Sequence, residues 1–124
     1  MPWKVEYLDD LDIVQLTISG DFSDQDVKAA APARIAMGRD KGTTRFIIDA
    51  VEMELTGSTF AIYDVPANVY VEEGMERTAR IAVLTANSSS SKEIVQFYEN
   101  ASVNRGWNVS AFMDREEAIA WLQG

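Results

Sequence analysis

Neither cysteine nor histidine occurs in the 124-residue chain. Without cysteine there is no disulfide framework, no thiolate nucleophile and no thiolate metal ligand. Without histidine the commonest general base and the commonest metal ligand are gone together, and a Ser-His-Asp hydrolase is excluded outright. Positive charge is sparse: 11 Lys and Arg stand against 20 Asp and Glu, leaving a net charge of −9, and the cations form no run. Such a balance repels phosphate backbones and anionic lipid, so neither nucleic acid nor a membrane is an expected partner. No apolar stretch behind Met1-Pro2-Trp3-Lys4 has the length of a leader or a membrane span, which makes the cytoplasm the expected location. What is present is ordinary for a folded globular chain, with 47% hydrophobic and 25% charged residues. The length predicts a single domain over residues 1–124 built on one core.

The stretch that orders the rest is Arg45-Phe-Ile-Ile-Asp49, an apolar run that ends in a carboxylate. It reads as a central buried strand of a parallel or mixed sheet. Ahead of it, Trp3, Val5 and Tyr7 alternate with polar residues, as do Val14, Leu16 and Ile18, and the acidic turn Asp9–Asp12 joins them into a β-hairpin that Gly20 closes. Ser23 with Asp26 starts a helix that Gly42 stops, and Pro32 inside it predicts a kink or two short helices. Thr56 is placed to cap a second helix, which Pro66 interrupts before a short helix over residues 67–73. Arg80–Leu84 and Asn108–Met113 are further strands. Ile94, Phe97, Tyr98 and Ala101 mark the apolar face of the helix between them, and Asp114 caps a terminal helix anchored by Ala118, Trp121 and Leu122. The fold class is therefore α/β, a mixed sheet of about five strands that opens with a hairpin and continues in right-handed βα units.

Open α/β sheets place their sites just past the carboxyl ends of their strands, which directs attention to Asp49, Glu52, Glu54, Thr56 and Ser58. Asp49, Glu52, Glu54, Asp64 and Asp114 could gather at one sheet edge around a hard cation. A cap explains Asp114 better, and no metal or cofactor is expected. "IIDA" and "VLTA" look like the phosphoacceptor and threonine strands of receiver domains. That comparison fails because Asp9 and Asp10 lie in a hairpin turn and Met113 is followed by Asp114 rather than Lys-Pro.

The hairpin, "RFIIDA", "LTGSTFAIYDVP", "RIAVL" and the ending "NRGWNVSAFMDREEAIAWL" together resemble the SpoIIAA-like proteins, which are grouped with the STAS and CRAL-TRIO folds. The resemblance covers nearly the whole chain and implies a non-enzymatic regulatory or protein-interaction domain. In true anti-sigma-factor antagonists an Asp-Ser pair follows the strand that ends in Asp, and a partner kinase phosphorylates that serine. Nine residues on from Asp49 stands Ser58, but the residue before it is Gly57, a departure from the pattern. Ser58 is thus a candidate phosphoacceptor, with Thr56, Asp49 and Glu54 completing a candidate interaction edge that runs to Asp64. A first-turn serine serves capping equally well. The CRAL-TRIO side of the resemblance implies an alternative, a small lipophilic ligand held by aromatics among Phe60, Tyr63, Val69, Tyr70, Phe97, Tyr98 and Phe112. Burial in a common core is the simpler account of that set. Tyr63, Val69 and Tyr70 are the candidate pocket or interface residues, and Val69–Val71 is the part expected to be exposed. The expected partner is another protein or a second copy of the chain in a homodimer.

Overall fold

Alternating apolar residues in Trp3–Leu8 (β1) and Ile13–Phe22 (β2) pair as an antiparallel hairpin, with Trp3 opposite Ile18 and Leu8 opposite Ile13. The computed structural model describes residues 2–124, the side chains of Ser89 and Ser90 excepted. Arg45–Leu55 (β3), Arg80–Leu84 (β4) and Asn108–Phe112 (β5) add in parallel, and the sheet order is β1-β2-β3-β4-β5. The helices are Asp24–Lys41 (α1), Thr59–Asp64 (α2), Tyr70–Glu72 (α3), Ser89–Val103 (α4) and Arg115–Gln123 (α5). None among the described residues is long and apolar enough to cross a membrane.

The sheet buries both faces. Val14, Leu16, Phe46, Ile48, Ile81, Val83 and Val109 meet α1, α2 and α4 on one side. Ile13, Ile47, Ala82 and Leu84 meet Ala118 and Leu122 of α5 on the other. Double cover explains why β3 and β4 are apolar without alternation.

The hairpin does not stop at Gly20. That glycine, at φ 84°, carries β2 on to Phe22, and Ser19–Phe22 pair with Glu52–Leu55 beyond a bulge between Thr17 and Ser19. Asp49 is the last residue of β3 flanked on both sides, by Thr17 and Leu84, so the final six residues of β3 form a two-stranded extension with β2.

Helix α1 starts on the Ser23–Asp26 capping box, and the Ser23 backbone N–H holds the Asp26 carboxyl below its usual range. Of the kink or two short helices expected around Pro32, the second does not occur: α1 is one helix from Asp24 to Lys41, capped by Gly42. The carbonyl that Pro32 leaves without a donor belongs to Lys28, which is exposed, so water can satisfy it. Pro66 is absorbed differently: Val65–Val69 widens into a π-type turn between α2 and α3.

Candidate functional site

Where β3 ends, the chain is tied to the end of β2 and the start of α1. The N–H groups of Thr56 and Gly57 both donate to the Phe22 carbonyl. Those bonds leave the capping role to Ser58 rather than to Thr56, as the sequence had suggested. Ser58 takes an extended backbone and its Oγ accepts from the Ala61 N–H at 3.4 Å. The Ser58 N–H also donates to Asp24 Oδ1 at 2.7 Å, and Ser58 Oγ stands 3.3 Å from that same oxygen.

Thr56, Ser58 and Glu54 are exposed, and Asp49 is half-buried, accepting from the Val51 N–H. Glu54 pairs in register with exposed Asp21, and Glu52 with Ser19. The β2–β3 extension therefore presents an acidic strip on the face turned away from Phe22, Met53 and Leu55. Phe60, two residues past Ser58, is 71% exposed. Among the described residues no three acidic groups come close enough together to hold a metal ion. Asp114 is engaged as the cap of α5, accepting from the Glu116 N–H.

Gly57 has no room for a side chain. A Cβ there would stand 2.3 Å from Asp24 Oδ1 and 2.7 Å from the Asp24 backbone nitrogen. An aspartate at this position, as the Asp-Ser pattern has it, would press a second carboxylate onto the first. Gly57→Asp is expected to lower stability by about 1–3 kcal/mol, read as a fall in the urea midpoint. Adding Asp24→Ala is expected to recover part of that loss, and a Gly57→Asp variant as stable as the parent would refute the packing described.

The aromatic candidates separate. Tyr70, expected in an exposed stretch, is fully buried, while Val69 is half-buried and Val71 is 58% exposed. The π-type turn rotates Tyr70 inward, against Trp107. Tyr63 lies on the surface side under the Arg105 guanidinium, 4.8 Å from the ring centroid. Phe112 packs with Trp121 on the other face of the sheet. Only Tyr70 and Tyr98 of the aromatic set reach an apolar cavity of about 70 Å³ between α1, α2, α4 and the sheet. Arg34 of α1 lines the same cavity.

Sequence reasoning passed over Arg34, although a signal was present. It falls on the stripe Val27, Ala30, Ala31, Ile35 at helical spacing, and α1 carries it inward with them. Its Nη2 donates to the Tyr70 hydroxyl at 2.6 Å, and the Tyr70 and Tyr98 hydroxyls bond each other. Burial pushes the Tyr98 phenol well above its ordinary range, so it stays neutral.

Comparison with known proteins places this architecture. The family model described as SpoIIAA-like matches residues 13–123. The fold is similar to the crystal structure of an uncharacterised protein with a SpoIIAA-like fold from Shewanella loihica, at 17% identity and a TM-score of 0.60, over 97% of this chain and 91% of that one. It is also similar to the anti-sigma factor antagonist SpoIIAA in its unphosphorylated form, at 18% identity and a TM-score of 0.59, over 98% of each chain. Identities this low establish the fold alone. No curated protein matches the sequence.

Proposed function

The chain belongs to the SpoIIAA-like family, and from that premise we propose that it is a non-enzymatic regulatory domain that binds a protein partner through the start of α2. In this reading residues 1–124 act as one STAS-like unit in the cytoplasm of a bacterium. The observation that carries it is Phe60, a large aromatic side chain 71% exposed at the start of α2. Aromatic side chains are the usual anchors of binding hot spots, and the acidic balance of the chain sets the charge of the surrounding surface. The partner's face is then an apolar pocket with a basic rim, and its association weakens with salt.

Ser58 is the point in this surface where added negative charge would act. A phosphate on its Oγ would repel the Asp24 carboxylate 3.3 Å away and push the start of α2, with Phe60, from α1. Asp49 sits behind as a structural member of the strip.

Phe60→Asp is expected to abolish recovery of a reproducible partner from the source organism while leaving stability within about 0.5 kcal/mol. Val103→Asp, an exposed apolar residue at the far end of α4, is expected to change nothing. Equal recovery by Phe60→Asp and the parent would end this reading. Light scattering shows whether the occupant is a second copy: a dimer that Phe60→Asp splits makes the partner the chain itself.

A second reading is favoured by a different observation, the cavity beside Arg34 and Tyr98. It supports a small lipophilic ligand held between the α2–α3 region and the sheet, with α1 as the third wall. At about 70 Å³ the cavity is several-fold smaller than the roughly 300–1,000 Å³ of a small-ligand pocket, so this reading requires it to open.

A further inference from the structure

The two edges of the sheet are finished differently. At β5 the Glu99 carboxylate of α4 accepts from the Ala111 N–H at 2.7 Å, and Val109 beside it is 5% exposed. An open edge strand invites another strand, and a side chain that takes its amides closes it. β1 has no such cover. The Ser19 N–H donates to the Pro2 carbonyl at 2.8 Å, so Lys4, Glu6 and Leu8, in step with Pro2, also turn their backbone groups toward β2. The N–H and carbonyl groups of Trp3, Val5 and Tyr7 therefore point away from β2, and no hydrogen bond reaches them among the described residues. All three residues are half-buried, packed only in part against the core.

The side chains along this edge are complementary to themselves. Lys4 and Glu6 share the face opposite to Trp3, Val5 and Tyr7. Neither has an ionic partner, because the one ion pair among the described residues joins Arg45 to Asp12. We propose that β1 pairs antiparallel with β1 of a second copy about a two-fold axis at Val5, joining two five-stranded sheets into one. In that register Val5 meets the partner's Val5, and Trp3 meets the partner's Tyr7, through the free backbone groups. Between them Lys4 stands opposite the partner's Glu6, at the non-hydrogen-bonded position where side chains come closest. The two-fold axis repeats each of these pairs, as an isologous interface demands.

The same charges disfavour the neighbouring registers. An axis at Lys4 sets lysine against lysine, and an axis at Glu6 sets glutamate against glutamate. A lone lysine on an edge strand discourages pairing, but with Glu6 two residues on it becomes half of a match. One alignment is thus selected in a chain whose net charge of −9 otherwise keeps copies apart. Phe60 is no part of this surface, so the inference stands independently of the α2 reading.

The test is sedimentation equilibrium of the full chain over a concentration series at physiological salt. A dimer is expected of the parent. Lys4→Glu alone and Glu6→Lys alone are each expected to weaken it at least about tenfold, since either change turns both cross-strand attractions into repulsions. The double variant carrying both changes restores the match with its order reversed, and is expected to dimerise within about threefold of the parent. Lys4 is exposed and Glu6 half-buried, and circular dichroism in urea checks that the variants fold. A parent still monomeric at about 0.1 mM overturns the inference. So does a dimer indifferent to both single reversals, or a double variant no tighter than the singles. A dimer that Phe60→Asp splits and the reversals leave intact belongs to the α2 surface, and overturns this one too. The mass of the unaltered protein decides the first point even if a variant fails to fold.

Discussion

Trp107→Ala is expected to cost about 3–5 kcal/mol of stability, measured by circular dichroism in urea. Trp107 is 3% exposed and stands where α4 has just ended and β5 begins. Its ring makes three different contacts. It meets the Tyr70 ring edge-on at an interplanar angle of 79°, the Arg77 guanidinium lies 3.7 Å from its centroid, and its Nε1–H donates to the Pro66 carbonyl at 2.9 Å. The last contact matters most for the site. The π-type turn at Val65–Val69 rearranges the helical ladder around Pro66, and the indole N–H satisfies a buried carbonyl within it. Truncation removes core volume, orphans that carbonyl and frees the ring that holds Tyr70 in place. Trp107→Phe keeps much of the volume and loses chiefly the hydrogen bond, so about 1–3 kcal/mol is expected of it. If Trp107→Ala lowers stability by less than the phenylalanine variant does, the indole is not what pins the α2–α3 segment.

The order of elements was legible because its signals are local. Period-two alternation marks the hairpin, Ser23–Asp26 and Asp114 mark helix starts, and Gly42 at φ 69° marks a stop. What escaped was set by tertiary partners. The apolar rhythm of β3 changes phase after Ala50, because the bulge turns Met53 and Leu55 toward the core and leaves Glu52 and Glu54 in solvent. The strand therefore outlasts its apolar run by half its length.

On α4 the buried stripe is Val95, Tyr98 and Ser102, so of the expected Ile94, Phe97, Tyr98 and Ala101 only Tyr98 lies on it, and Phe97 is 40% exposed. A search for apolar residues at helical spacing skips a serine that sits on the buried face. It skipped Arg34 for the same reason. On α1 the apolar stripe was sound, and in both helices the polar member was the one missed. The surface candidates Ser58 and Glu54 follow from where the strand ends, but Phe60, grouped with the core aromatics, is 71% exposed, and Asp24, 34 positions away from Ser58, has no local signal.

That overlooked arginine carries the second large effect. Arg34→Met is expected to raise the stability of the ligand-free protein by about 1–3 kcal/mol, because a flexible apolar side chain replaces a buried charge with two unpaired donors. Opposing terms exist. The change gives up the bond to the Tyr70 hydroxyl and cation–π contacts with Phe46 and Tyr70, each worth about 0.5–2 kcal/mol. Tyr70 keeps Tyr98 as a hydroxyl partner, so no new orphan is made. The desolvation of a full charge outweighs these, since no carboxylate offsets it. Arg34→Met should therefore melt higher than the parent. A variant that unfolds earlier than the parent would mean that the aromatic faces and the tyrosine hydroxyls together outweigh the desolvation of the guanidinium.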